Sequence, residues 1–178
     1  ENIKRLEKYK SKGAAGMGIF VNPNNSAFQV ALNSEIYVDK SDMIVYTNKV
    51  IDTNNAFICN SRPRRFGKSI AANMLTAYYS RGCDSLDMFE GLKISADEGF
   101  RKHLNQYNVI RIDVQWCCAS VKSAEKTVAY IEKNVIHELR ELFPGIITSG
   151  VVSLPDTLAA VNKETGQKFI IVIDEWDC

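Results

Sequence analysis

A short basic stretch of the sequence, Gly67-Lys68-Ser69, has the residue types that bind phosphate groups. It comes after the apolar segment 56–60 and leads into residues 68–80, of which Lys68 and Ser69 are the first two and whose apolar side chains recur at helical spacing. A lysine can contact terminal phosphates, a hydroxyl can ligate Mg²⁺, and the free N–H groups of a helix start attract anions. The stretch therefore predicts a phosphate-binding loop between a strand and a helix.

A second stretch, Asp174-Glu175, supplies the acids that such a site needs. It follows the apolar run 169–173 and comes roughly a hundred residues after Lys68. An aspartate there would hold a metal ion through water, and a glutamate would polarise the attacking water. Alternatively, both stretches are solvated turns, and Ser69 then only caps the helix.

The loop departs from the common pattern G-x-x-x-x-G-K-[ST], since Arg62 stands at the first glycine position and Pro63 has no N–H. Its three arginines concentrate positive charge beside the predicted phosphate site, where they would contact nucleotide or a neighbouring acid, or else face solvent. The residues predicted to surround the nucleotide are Arg62, Pro63, Arg64, Arg65, Phe66, Gly67, Lys68, Ser69 and Ile70.

The elements that must position these residues alternate along the chain. Apolar runs predict strands at 56–60, 108–114 and 168–173, with a further strand-like piece at 36–38. Helical spacing predicts helices over 67–80 and 123–143, and Ser153 with Gly166 bounds a shorter one. This alternation is typical of an α/β fold with a mostly parallel sheet covered by helices in three layers. Residues 1–25 are predicted to form an N-terminal helix and loop before a domain over 26–178.

Composition excludes several classes of protein. The net charge of +1 argues against binding nucleic acid over the whole surface. Five cysteines at spacings that fit no zinc site predict free thiols in a reducing compartment. No apolar run is long enough to span a membrane and no leader is visible, so we expect a cytoplasmic location. The chain begins with Glu1, which leaves a removed leader open.

Five stretches together resemble the bacterial AAA-ATPase-like family over roughly residues 16–178. They are SRPRRFGKS (61–69), IYVDKSDMI (36–44), MFEGLKIS (88–95), NVIRIDV (108–114) and IDEWD (173–177). The resemblance implies a P-loop NTPase fold that binds ATP and Mg²⁺. It implies that Lys68 and Glu175 are catalytic residues and that Ser69 and Asp174 are metal ligands. Members of that family often carry a C-terminal nuclease-like domain, through which the parent protein would contact nucleic acid.

Under this interpretation the chain is the N-terminal part of a larger protein, and its sheet is incomplete at the C-terminus. Arginine contacts that speed phosphoryl transfer would lie beyond Cys178, so we expect slow turnover or none. The alternative function is a non-hydrolysing nucleotide-sensing or nucleic-acid-binding regulatory module. The roles of Tyr37, Asp39, Lys40 and Asp177 stay open between nucleotide contact and packing or solvation.

Overall fold

The computed structural model describes residues 18–63, 65–147 and 153–177. Most of the predicted N-terminal unit, together with Arg64 and Cys178, lies outside these ranges. The helices are α1 (Ser26–Leu32), α2 (Asp42–Val50), α3 (Lys68–Tyr79), α4 (Leu86–Phe89), α5 (Phe100–His103), α6 (Val114–Val121), α7 (Ala124–Leu142) and α8 (Leu154–Thr165), with a 3-10 turn at Lys93–Ala96. The strands are β1 (Asn108–Asp113) and β2 (Phe169–Asp174).

The two strands pair in parallel, in a register that runs from Asn108 opposite Phe169 to Asp113 opposite Asp174. The chain passes from β1 to β2 through α6, α7 and α8, as a parallel pair requires. The predicted α/β class and two of the predicted strands are thus confirmed. Because parallel strands end at the same edge, the residues that follow β1 and β2 lie side by side there.

The other edge of β1 is covered by the first described residues of the chain. Val21 forms an antiparallel bridge with Ile110, and the Arg111 N–H donates to the Phe20 carbonyl at 2.8 Å. The Glu138 carboxylate of α7 fixes this segment by accepting the N–H groups of residues 19, 20 and 21 at 3.0, 2.9 and 2.7 Å. A Cβ on Gly18 would meet this carboxylate, so only glycine fits that position without rearrangement.

The prediction of a buried strand at 56–60 is wrong in this structure. The segment forms no strand, and Phe57 is 97% exposed. A strand needs the hydrogen-bonding edge of a neighbour, and no described strand pairs with this segment. The strand-like piece at 36–38 is likewise unpaired, with Ile36 82% exposed.

Two buried clusters hold the described elements together. One surrounds α3 and includes Met74, Tyr78 and Phe89; the other lies between β1 and α7 and includes Ile110 and Leu139. Burial of such side chains is the main source of stability for a fold of this kind.

Two residues of the predicted apolar helix faces are exposed. Ile70 is 43% exposed at the beginning of α3, and Val128 is 66% exposed because the buried face of α7 passes through Thr127 instead.

The predicted ends of the last helix are confirmed by its caps. Ser153 accepts the Asp156 N–H at 3.2 Å, and Gly166 closes α8 in the left-handed conformation at φ 67°.

Among the helices that the structure describes, none combines the length and the apolar character of a bilayer span.

Candidate phosphate-binding site

The start of α3 has features that attract an anion. Gly67 precedes the helix in the left-handed conformation, at φ 77° and ψ 33°, which favours glycine. Its carbonyl accepts the Ala71 N–H at 3.0 Å, and the N–H groups of a first helical turn have no partner within the helix. The first turn of α3 has no acidic residue. The positive end of the helix dipole is therefore not neutralised by a side chain of its own turn.

A cavity of about 470 Å³ opens at this helix start. It is lined by Arg65, Gly67, Lys68, Ser69, Ile70, Gln115 and Glu175. The structure thus brings five of the residues predicted around the nucleotide together with the glutamate that follows β2. Sequence reasoning did not predict Gln115. Its position two residues after β1, at the same edge as Glu175, was the signal that could have indicated it.

The other predicted residues lie elsewhere. Arg62, Pro63 and Phe66 are exposed and do not line the cavity, and Arg64 lies outside the described residues. Asp177 is exposed in a turn after β2.

The basic residues of this loop that the structure describes have no carboxylate partner. The ion pairs within the described ranges join other residues, and none includes Arg62, Arg65 or Lys68. Like charges close together repel one another unless an anion neutralises them. The loop therefore presents an uncompensated positive charge to whatever occupies the cavity.

Asp174 is buried beside the cavity and does not line it. Arg111 of β1 donates to its Oδ2 at 3.0 Å, and the Glu175 N–H donates to its Oδ1 at 3.1 Å. The side chains of Arg111 and Asp174 are only 14% and 7% exposed. Sequence reasoning assigned Asp174 to a metal and did not foresee its pairing with Arg111.

Glu175 follows Asp174 in an uncommon backbone conformation. Its φ of 50° lies in the left-handed region, which is costly for a residue with a side chain. Such conformations persist only where the surrounding structure holds them. Here the turn at Glu175 ends β2 at the wall of the cavity.

The residues before α2 have packing and anchoring contacts. Tyr37 packs edge-on against Phe28, and burial, followed by the charge of Asp39, raises its pKa to about 12. Asp39 accepts the N–H groups of Ser41 and Lys93, each at 2.8 Å. Lys40 donates to the Phe66 carbonyl of the loop. Tyr37 and Asp39 are thus structural in this fold, and Lys40 is the one of the three that reaches the site.

A second cavity of about 400 Å³ lies beside α3, with Phe20, Asn73, Arg111 and Trp116 in its wall. It contains none of the residues predicted for chemistry.

No group of three or more histidine, cysteine or acidic residues that could hold a metal ion occurs within the part of the chain that the structure describes.

The family model described as "Predicted AAA-ATPase" matches residues 26–178. The chain therefore belongs to the AAA-ATPase-like family. No curated protein and no solved structure matches the chain.

Proposed function

We propose that the chain binds Mg-ATP in the cavity at the start of α3 and forms the phosphate-binding part of a P-loop ATPase. The observation that carries this proposal is the convergence of Lys68 and Ser69 with Glu175 on one cavity. The unpaired cations of the loop and the membership of the AAA-ATPase-like family support it.

Phosphate binding follows from the charges and donors at the helix start. Lys68 would contact the β- and γ-phosphates, while the N–H groups of the first turn donate to the same oxygens. Gly67 has no side chain, so the backbone can adopt the left-handed turn that leads into the first turn of α3. Arg65 adds a further positive charge to the wall of the cavity.

The residues present fit a magnesium ion. Ser69 lines the cavity, and its hydroxyl has no partner among the described residues. Asp174 lies beside the cavity without lining it and is engaged by Arg111 and by the Glu175 N–H; because each carboxylate oxygen can accept a second donor, we propose that it would hold the metal ion through a water. When bound, Mg²⁺ would neutralise charge on the phosphates.

Glu175 is the residue that we assign to the attacking water. Its carboxylate would accept the proton of that water, and the Gln115 amide beside it would hold the water through a hydrogen bond. A water held by Glu175 would attack only when the phosphate lies in line with it, which the loop would ensure.

Titration calorimetry tests the binding claim. We expect Mg-ATP to bind, and the affinity to fall strongly when EDTA removes the metal. The alternative, a nucleic-acid-binding module, predicts instead that an oligonucleotide binds with an affinity that falls steeply from about 50 to 200 mM salt. Absence of Mg-ATP binding at any salt concentration would reject the proposal.

A phosphate-release assay tests hydrolysis separately. We expect slow turnover, because arginine contacts at the γ-phosphate contribute roughly 10³ to 10⁵ in rate and Arg65 is the one described arginine that lines the cavity. Glu175→Gln should abolish the remaining release while Mg-ATP still binds. The matched control is Glu164→Gln, an exposed position on α8, which should release phosphate at the wild-type rate.

A further inference from the structure

Lys40 contacts the phosphate-binding loop from outside the cavity. Its ammonium group donates a hydrogen bond to the Phe66 carbonyl, although the two residues are 26 positions apart. A Cβ added to Gly67 would lie 3.0 Å from the same ammonium nitrogen. Lys40 is not among the residues that line the cavity. The lysine therefore lies against the outer side of the loop backbone.

The backbone that carries Lys40 is firmly anchored. Asp39 accepts two N–H groups, as described above, and the buried Ser41 hydroxyl accepts the Ile94 N–H at 3.1 Å. Burial alone would raise the pKa of Asp39, but the donors from Lys93 and Ser41 outweigh it and lower the pKa below its usual value. The anchoring carboxylate is thus ionised at neutral pH, and Lys40 extends from a fixed point.

The loop has little else to hold it. Within its described residues, 61–63 and 65–67, the hydrogen bond from Lys40 is the one hydrogen bond from a side chain elsewhere. The others join backbone atoms: a long one, 3.4 Å, from the Phe66 N–H to the Pro63 carbonyl, and one at 3.0 Å from the Ala71 N–H of α3 to the Gly67 carbonyl. The conformation also needs support, because Arg65 has a positive φ of 68°.

Because of the geometry of a peptide unit, the hydrogen bond from Lys40 to the Phe66 carbonyl also fixes the direction of the Gly67 N–H. In a trans peptide the carbonyl and the following N–H point in opposite directions. Since Lys40 holds the Phe66 carbonyl on the outer side, the Gly67 N–H of the same peptide unit points to the inner side, where Gly67 lines the cavity. The ammonium group also neutralises a carbonyl dipole that would repel phosphate if it turned inward.

We propose that Lys40 is a positioning residue of the phosphate site, which fixes the direction of the Gly67 N–H through the Phe66 carbonyl. The inference rests on the proposed function for its ligand, a nucleoside triphosphate. Lys40 acts through the loop backbone and does not touch the phosphates. Through Lys40, ligand binding in the cavity therefore depends on the segment before α2.

Limited trypsin digestion without nucleotide measures the loop directly. The Arg65–Phe66 bond should be cleaved about tenfold faster in Lys40→Met, since a hydrogen bond from a charged donor is lost. Lys40→Arg keeps the donor and should restore the slow rate. Lys49→Met is the matched control, because Lys49 is also exposed and lies in the last turn of α2. Mass spectrometry follows the single bond, and circular dichroism checks that each variant is folded.

Calorimetry with Mg-ATP on the same proteins completes the test. Lys40→Met should bind about tenfold more weakly, while Lys40→Arg and Lys49→Met bind like the wild type. Equal cleavage rates in all four proteins would overturn the inference, as would faster cleavage with unchanged affinity. If the wild type itself binds no Mg-ATP, the proposed function fails. The role of Lys40 in holding the loop is then decided by the cleavage rates alone.

Discussion

The two sides of the cavity differ in how their charges are compensated. On the strand side, Asp174 is buried and paired with Arg111 of the neighbouring strand. On the loop side, Arg65 and Lys68 have no carboxylate partner among the described residues. The buried pair on the strand side is therefore electrostatically complete without a ligand, whereas the loop side needs an anion to become so. Substitution of the buried pair should accordingly affect stability, and substitution on the loop side should affect ligand affinity.

The largest expected effect is on the strand side. Arg111→Met should lower the free energy of unfolding by about 3 to 5 kcal/mol, because it leaves the buried Asp174 carboxylate without its cation. Urea denaturation at pH 7 measures the loss. Arg101→Met, which breaks an exposed pair with Glu90, is the matched control and should cost at most about 1 kcal/mol. Equal losses for the two variants would show that burial of the first pair has no energetic consequence.

The opposite pattern is expected for Lys68→Met. Mg-ATP affinity should fall about a hundredfold, because a charged donor to the phosphates is lost, while the free energy of unfolding stays within about 0.5 kcal/mol. Calorimetry and urea denaturation on one preparation give both values. Lys163→Met, at an exposed position of α8, should change neither. Unchanged affinity in Lys68→Met would remove the phosphate assignment from the loop side.

Gly67→Ala should affect both quantities, since Gly67 belongs to the loop and also begins α3. A left-handed φ costs a residue with a Cβ about 1 to 2 kcal/mol, and the methyl group would press on the Lys40 ammonium. Gly91→Ala is the control, because nothing lies within 4 Å of a Cβ there. Thermal unfolding and Mg-ATP calorimetry should separate the two variants; equal results would show that the left-handed turn is not required.

The smallest effect concerns the anchor of Lys40 and depends on pH. The folded-state pKa of Asp39 is lowered, so its contribution to stability is present above its unfolded pKa of about 4 and is lost as pH falls through the folded value. Asp39→Asn should therefore be less stable than the wild type at pH 7, with a difference that shrinks below about pH 4. Urea denaturation at pH 7 and pH 3 checks this. A difference independent of pH would mean that the Asp39 charge has no part in the anchor.

Local patterns in the sequence predicted the elements that depend on local signals. The helix at Lys68–Tyr79, the long helix at Ala124–Leu142 and the capped helix at Leu154–Thr165 were all predicted within one or two residues. Spacing of apolar residues and capping residues are enough for these, because helix hydrogen bonds form within one segment. The parallel pairing of β1 with β2 also follows, since a helical connection joins them.

Contacts between distant segments were not predictable in the same way. The apolar segment 56–60 has the composition of a buried strand, but composition does not say whether a neighbouring edge is present. The pairing of Arg111 with Asp174 depends on the register of two strands, and the contact of Lys40 depends on how the segment before α2 is anchored. For the site, the sequence indicated Lys68, Ser69 and Glu175 through their spacing. It gave no comparable signal for Gln115, Arg111 or Lys40.

The hydrogen bonds that the Glu138 carboxylate accepts from residues 19–21 have a consequence for synthesis on the ribosome. The segment leaves the ribosome long before its partners: β1 begins at Asn108, and Glu138 is 119 positions beyond Ile19. At about 5 to 20 residues per second, this delay is roughly 6 to 24 s. During that interval the N–H groups of residues 19–21 have neither their carboxylate nor their strand. The first part of the described chain to be made is thus among the last to be fixed in place.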